Sequence, residues 1–412
     1  MSIAGIGICS QAAPRQAAAN GVAQPRISAV KESSESRGFV GDEGCRACHA
    51  SEFESYLGTR HHRTSQLPTK DSIEGHFDAG RNTMNSLDPA VSFQMDARTD
   101  AQGEGLFETG VEGKPGHEKT RTEQIGLVFG SGRKGQTYVY WRGDELFELP
   151  VSYWTSLDRW VNSPGYVDGT ADFNRGINPR CLECHSTYFQ TVESPRPGFH
   201  YDRTNFVLGI SCERCHGAGA EHMRQHSTGA AAGVNGVGET NRVTVAKMLP
   251  VGIERDRQID VCAQCHGGIG SGITPAFSFK PGTTLASYIS LESDPRARVD
   301  VHGNQVALLE KSRCFQSSPG MTCSSCHELH SPEREAASYS DKCLTCHQAS
   351  ACPTFSRMPR QAVVNCIDCH MPLQSSTSLA VDMEDERVAV KVRSHWIQVY
   401  PSSGAEHQRT KP

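Results

Sequence analysis

Residues 39–62 read FVGDEGCRACHASEFESYLGTRHH, and the five residues Cys45-Arg46-Ala47-Cys48-His49 decide how the chain is built. Cys-x-x-Cys-His is the attachment pattern of a c-type haem. Two thiols add across the vinyl groups of the porphyrin, and the next residue offers an imidazole to the iron. The pattern recurs at Cys181, Cys184 and His185; at Cys212, Cys215 and His216; and at Cys262, Cys265 and His266. It returns at Cys323, Cys326 and His327; at Cys343, Cys346 and His347; and at Cys366, Cys369 and His370. Zinc knuckles and disulfide frameworks also pair cysteines, but neither requires His directly after the second Cys. With 18 His in 412 residues, seven such coincidences are negligible. The cofactor expectation is therefore heme c, seven groups, each covalent, with seven proximal iron ligands.

Fourteen of the 17 cysteines are consumed in this way, leaving Cys9, Cys314 and Cys352. Haem attachment takes place outside the cytoplasm, where disulfides persist. A Cys314–Cys352 disulfide and two buried thiols are equally compatible with the sequence. Hydrophobic content of 37%, with 39 Gly and 21 Pro, is low for a chain of this length. Macrocycles supply the missing apolar surface, so short helices and loops can pack on cofactors. The expected fold is mainly α with much irregular structure, organised around covalent haems, with a small β-rich insertion between the first and second motifs. A formal charge of -5 gives no reason to expect nucleic acid. Ferric haems, each a singly positive core with two propionates, carry it to about -12. No apolar run of 18 residues exists, so no transmembrane helix is expected.

Motif spacing sets the expected organisation. Residues 1–38 read as a leader or disordered segment, with Ile3 to Cys9 resembling the end of a truncated signal peptide. A first haem segment spans 39–77, a β-rich insertion 78–165 and a six-haem core 166–372. A C-terminal strand and tail, 373–412, carries a distal ligand. Within the insertion, QTYVYW (136–141), the turn Arg142-Gly143-Asp144 and ELFELPVSYW (145–154) predict a hairpin. Residues 78–120 read as loops with short strands. Short helices are predicted at Glu52–Leu57, Gly219–Gln225 and His302–Phe315, and a strand at Arg387–Val392. Residues 226–240 are low in complexity and read as a surface loop.

What occupies the far side of each iron then decides the chemistry. A second His keeps a haem low-spin and low in potential, Met raises the potential, and an open position binds substrate. Eleven His lie outside the motifs. His61 and His62 follow the first motif, His222 the third, and His330 closes CHELH three residues after His327. His302 leads into the fifth motif, and His395 follows the terminal strand. His226 shares a helical face with His222. These seven are the distal candidates. His76, His117, His200 and His407 have no such positional argument. Met371 adjoins a proximal His and cannot reach the opposite face.

Three stretches carry a family resemblance: FVGDEGCRACHASEFESYLGTRHH; LPVSYW (149–154) with SPGYVDG and NPRCLECH within 163–185; and MTCSSCHELH (321–330) with NCIDCHMP (365–372). They resemble the multihaem c-type cytochromes of the cytochrome c-554 type, the cytochrome c-552/4 domain family. The resemblance implies closely stacked, mostly bis-His haems in a periplasmic or extracellular electron carrier. It also implies His61 or His62, His222, His330 and His395 as distal ligands. The chain departs from the smaller members by carrying seven motifs rather than four, and it lacks the Cys-x-x-Cys-Lys site of the pentahaem nitrite reductases.

The functional expectation is electron transfer between redox partner proteins outside the cytoplasm. The competing reading is a multihaem oxidoreductase acting on a small inorganic nitrogen or sulfur compound at one five-coordinate haem, with His226, His200 or His117 moving protons.

Overall fold

The computed structural model describes residues 38–100, 103–229, 253–291, 299–332, 335–353, 365–383 and 386–400. The leader-like segment, most of the low-complexity stretch and His407 lie outside them. The chain divides into two compact units. One comprises residues 1–252, 275–281 and 380–388; the other comprises 253–274, 282–379 and 389–412. Motifs one to three fall in the first unit and motifs four to seven in the second.

The first unit is built on strands. Gln136–Arg142 and Glu145–Trp154 form the predicted hairpin, with Arg142 opposite Glu145 across Gly143-Asp144. Gly143 has a φ of 64°, the left-handed value that such a two-residue turn needs. Further strands extend this pair into an eight-stranded sheet that includes Leu127–Phe129, His200–Leu208 and Ser186–Val192. A second sheet runs in the order Thr83–Asn85, Val91–Asp100, Gly103–Glu112, Lys119–Gln124. Side chains of QTYVYW alternate between two covered faces, as the period of a strand requires. Tyr138 and Tyr140 join Phe93, Met95, Leu149 and Val151 in the core between the sheets. Val139 and Trp141 enter a second core with Tyr188, Tyr201, Phe206 and Leu182. Leu182 belongs to the second haem motif, so the larger sheet is the wall on which that motif rests. Trp160 packs edge-on to Tyr153 at 5.2 Å, and a Cβ at Gly75 would lie 2.4 Å from its ring.

The second unit is mostly short helices: Arg255–His266, Gln305–Glu310, Arg313–Ser317, Ser340–Leu344 and Cys366–His370. A small ladder pairs Gly270–Gly272 with Ile289–Leu291.

The mainly α expectation is overturned: helix accounts for 26% of the structure and strand for 30%. Two physical causes operate. A Cys-x-x-Cys-His site needs only about one helical turn, so Cys212–His216 and Cys366–His370 are five residues each. The polar, Gly-rich stretch read as loops with short strands forms two ten-residue strands, Val91–Asp100 and Gly103–Glu112, paired throughout. Their alternate residues Val91, Phe93 and Met95 bury one face and leave the other polar. The helix expected at His302–Phe315 is two helices, with His302 before the first. The helix following the third motif runs Ala220–Gly229, and the terminal strand Glu386–Arg393.

Candidate haem-binding site

Local hydrogen bonding shapes the motifs. Asn178 caps the second motif helix, its side chain accepting from the Cys181 amide at 3.1 Å, with Pro179 in the first turn. Asn365 caps the seventh in the same manner through Asp368 N. Thr322 and Ser325 form a capping box over the fifth. In the first and sixth motifs, as in the fifth, the His amide bonds back to the carbonyl of the leading Cys at 2.9 Å, closing one turn. This turn carries both thiols and the ring.

Long-range contacts then gather the three motifs of the first unit. The Glu213 side chain, within the third motif, is almost fully buried and accepts from Val40 N (2.9 Å), Gly41 N (2.8 Å) and Gly219 N (2.8 Å). Val40 and Gly41 lead into the first motif, and Gly219 leads into the helix bearing His222. Burial holds the Glu213 carboxyl above its ordinary value despite these three donors. Thr64 and Ser65 hydroxyls donate to the His185 carbonyl at 2.9 and 2.8 Å, tying the second motif to the segment after the tandem His. Ile210 N donates to His61 O at 2.9 Å, just before the third motif. Gly209 permits this approach: its φ is +65°, and a Cβ there would lie 2.1 Å from His62 O.

The histidines meet as follows. The rings of His49 and His222 face each other with centroids 6.4 Å apart and planes 26° from parallel. In the second unit, His327 and His395 do the same at 6.1 Å and 23°. An imidazole nitrogen binds a metal at about 2.0–2.1 Å, so two rings on opposite sides of one ion place their centroids roughly 6 Å apart. Both centroid spacings match that separation, and each pair joins a motif His to a non-motif His. Burial, then the facing His327, pushes the His395 imidazole down to about 4, against a hydrogen bond to the Arg393 carbonyl. It is neutral at neutral pH, the state a metal ligand requires. Its Nδ1 lies 3.3 Å from Arg393 O, leaving Nε2 for a metal. His370 Nδ1 donates to Gln398 O at 2.9 Å, and His266 Nδ1 meets Gln305 Oε1 at 3.1 Å. Anchoring one ring nitrogen in this way orients a ligating His.

The remaining candidates are placed differently. His226 packs on His222 at 4.5 Å with its plane tilted 55°. His62 Nε2 lies 3.1 Å from the Asp42 carboxylate, and its ring meets Tyr56 edge-on. Of the tandem pair, His62 thus holds the motif-one helix by a side-chain contact. His302 lies within electrostatic reach of His266. His330 is half exposed, 4.0 Å from Glu328. His200 has Asp144 and the Arg196 carbonyl on its two ring nitrogens, each at 3.1 Å, and His76 pairs with Asp158 at 3.0 Å. Both are structural. Cys314 and Cys352 are not joined in a disulfide in the structure. Among the described residues no three His, Cys, Asp or Glu converge on one ion, whereas a zinc knuckle needs four.

Glu213, Asp42, Gln305 and Ser340 are the positioning residues that sequence reading missed. Glu213 occupies an unconstrained x position of its motif, and nothing in the spacing marks it.

The chain is similar to several known proteins. The family model for cytochrome c554 and c-prime matches residues 161–217, which hold the second and third motifs. The C-type polyheme cytochrome OmcC of Geobacter sulfurreducens is 23% identical over 170 residues, 41% of this chain. The match covers 20% of that relative, so this chain spans about a fifth of its length. The crystal structure of the outer cell wall cytochrome OcwA superposes with a TM-score of 0.54 at 17% identity, covering 90% of this chain and 82% of that one. It shares the fold. With Cys-x-x-Cys-His repeated through both units and these likenesses beside it, the chain is a multihaem c-type cytochrome.

Proposed function

We propose that the chain binds seven covalent c-type haems and conducts electrons between redox partner proteins outside the cytoplasm. The observation that carries this reading is the presence, in each unit, of a motif His facing a non-motif His at 6.4 or 6.1 Å. His49 with His222, and His327 with His395, are the two iron ligand sets it assigns. A haem held on both faces by His is low-spin, low in potential and closed to substrate. When bound, the haems supply reversible one-electron chemistry. The protein attaches them, fixes their axial ligands and excludes water. Among the described residues no helix is long and apolar enough to cross a membrane. Location in the periplasm or beyond rests on where haem attachment takes place, and small inorganic substrates have no part in this reading.

Electron paramagnetic resonance of the oxidised, haem-loaded protein tests it. Low-spin ferric signals alone are expected. A stoichiometric high-spin signal that shifts on adding nitrite, hydroxylamine or sulfite would replace the conductor with an enzyme.

A further inference from the structure

Two motifs of the first unit carry charged residues that are buried, and their charges are not balanced alike. Glu183, in the second motif, is 5% exposed, and its carboxylate has two donors, Phe277 N at 2.7 Å and Arg180 Nη1 at 3.3 Å. The Arg180 charge offsets it. Arg214, in the third motif, is 6% exposed. Its Nη2 donates to the backbone carbonyl of Glu183 at 2.9 Å, its guanidinium lies 5.7 Å over the Phe277 ring, and its Nε has no hydrogen-bond partner. Among the described residues no carboxylate pairs with it. Buried charges are ordinarily paired. Here Phe277 occupies the nearby carboxylate and offers the cation an aromatic face instead. Its backbone has a φ of 60°, the left-handed region that a bulky residue rarely enters. That conformation gives its N–H to Glu183 while its ring packs edge-on to Tyr188 at 5.7 Å. Glu213, the neighbour of Arg214, does not cancel the charge. Its carboxyl turns to the Val40, Gly41 and Gly219 amides, whose dipoles offset it.

We propose that Arg214 holds an uncompensated positive charge where the second and third motifs meet, and that this charge raises the reduction potential there. A fixed cation beside a haem favours the reduced form, because reduction adds a negative charge. The attraction is strong in a dry, low-dielectric surrounding, and a bound haem deepens the burial. The first motif supplies the contrast. Arg46 also occupies a spacer position, but its side chain is 55% exposed and ion-paired with Glu43 at 3.5 Å and Glu54 at 3.1 Å. Water and carboxylates screen that charge. Electrons entering the first unit therefore settle at the second and third sites before the first. This inference rests on covalent haem attachment as proposed above.

The test is a potentiometric titration of the full haem-loaded chain, followed by its visible spectrum. Arg214→Gln keeps a donor for the Glu183 carbonyl and removes the charge. One or two of the one-electron steps are expected to fall to lower potential. Arg214→Lys keeps the charge and should hold those steps near the parent, and Arg46→Gln should move none. The fall should persist from low to high salt, since a buried charge is little screened. No fall, an equal fall in the Lys variant, or a fall erased by salt overturns the proposal. If Arg214→Gln does not fold, Glu183→Gln makes the same test with the opposite sign. It keeps an acceptor for Phe277 N and leaves the Arg180 charge uncompensated, so one or two steps must rise, and their constancy overturns the proposal. Intact mass counts the haems in each sample. A chain without haem contradicts the proposed function, whereas a loaded chain with unmoved steps contradicts this inference alone.

Discussion

Glu213→Ala removes the clamp between the first and third haem motifs, and its cost follows from the hydrogen bonds it breaks. One buried carboxylate accepts three backbone N–H groups, from Val40, Gly41 and Gly219. Each donor left buried without a partner costs about 1–3 kcal/mol. Full additivity gives roughly 3–9 kcal/mol, and water entering the vacated space lowers the total toward about 3–5 kcal/mol, as for other broken buried networks. Glu213→Gln separates charge from geometry. Its oxygen can keep the bonds to Val40 and Gly219, while its amide turns a donor toward Gly41 N, so it loses about 1–3 kcal/mol. The assay is denaturant unfolding followed by near-UV circular dichroism. Three of the four Trp, at 141, 154 and 160, lie in the first unit and report its packing. Loss of the clamp also releases Gly219, so the Ala variant should show high-spin iron at the first site as His222 drifts from His49. An Ala variant within about 1 kcal/mol of the parent, with an unchanged spectrum, would refute the clamp.

Further outcomes follow from the same structure. Glu108 is wholly buried, its Oε1 accepting from Val151 N while Oε2 has no partner. Burial raises its carboxyl well above 4.5, so the fold loses about 1.4 kcal/mol for each pH unit above that value until the group ionises in place. Glu108→Gln should match the parent near pH 4 and exceed it at neutral pH; equal stability at both would contradict this. For His200, burial favours the neutral ring, but bonds to Asp144 and the Arg196 carbonyl outweigh it and raise its value. Its contribution is present below the unfolded value of about 6.5 and is lost as pH rises through the folded value. Asp144→Asn should flatten that fall, measured as stability from pH 5 to 9. His395→Ala should turn one haem high-spin and leave the others low-spin, and an unchanged spectrum would remove His395 from the ligand set.

The cofactor was legible in the sequence because its chemistry is local. Two thiols and an imidazole must fall within five residues, and the chain writes that spacing repeatedly. His222 and His395 were singled out by position, and each faces a motif His. The hairpin at 136–154 was legible because aromatic and β-branched residues flank a Gly-Asp turn. The balance of helix and strand was not. Val91–Asp100 and Gly103–Glu112 carry Asp, Arg, Glu and Gly that read as loop, and only packing of Phe93 and Met95 against the larger sheet makes them strands. Tertiary burial overrode local propensity there. The role of Glu213 was invisible for a related reason: two of its three partners are backbone amides more than 170 residues away.

Intact mass of the purified protein under denaturing conditions, after a metal chelator, tests the central claim most directly. The account predicts a chain heavier by seven haems, unchanged by the chelator. A chain at its polypeptide mass, or one that loses its added mass to the chelator, would contradict it.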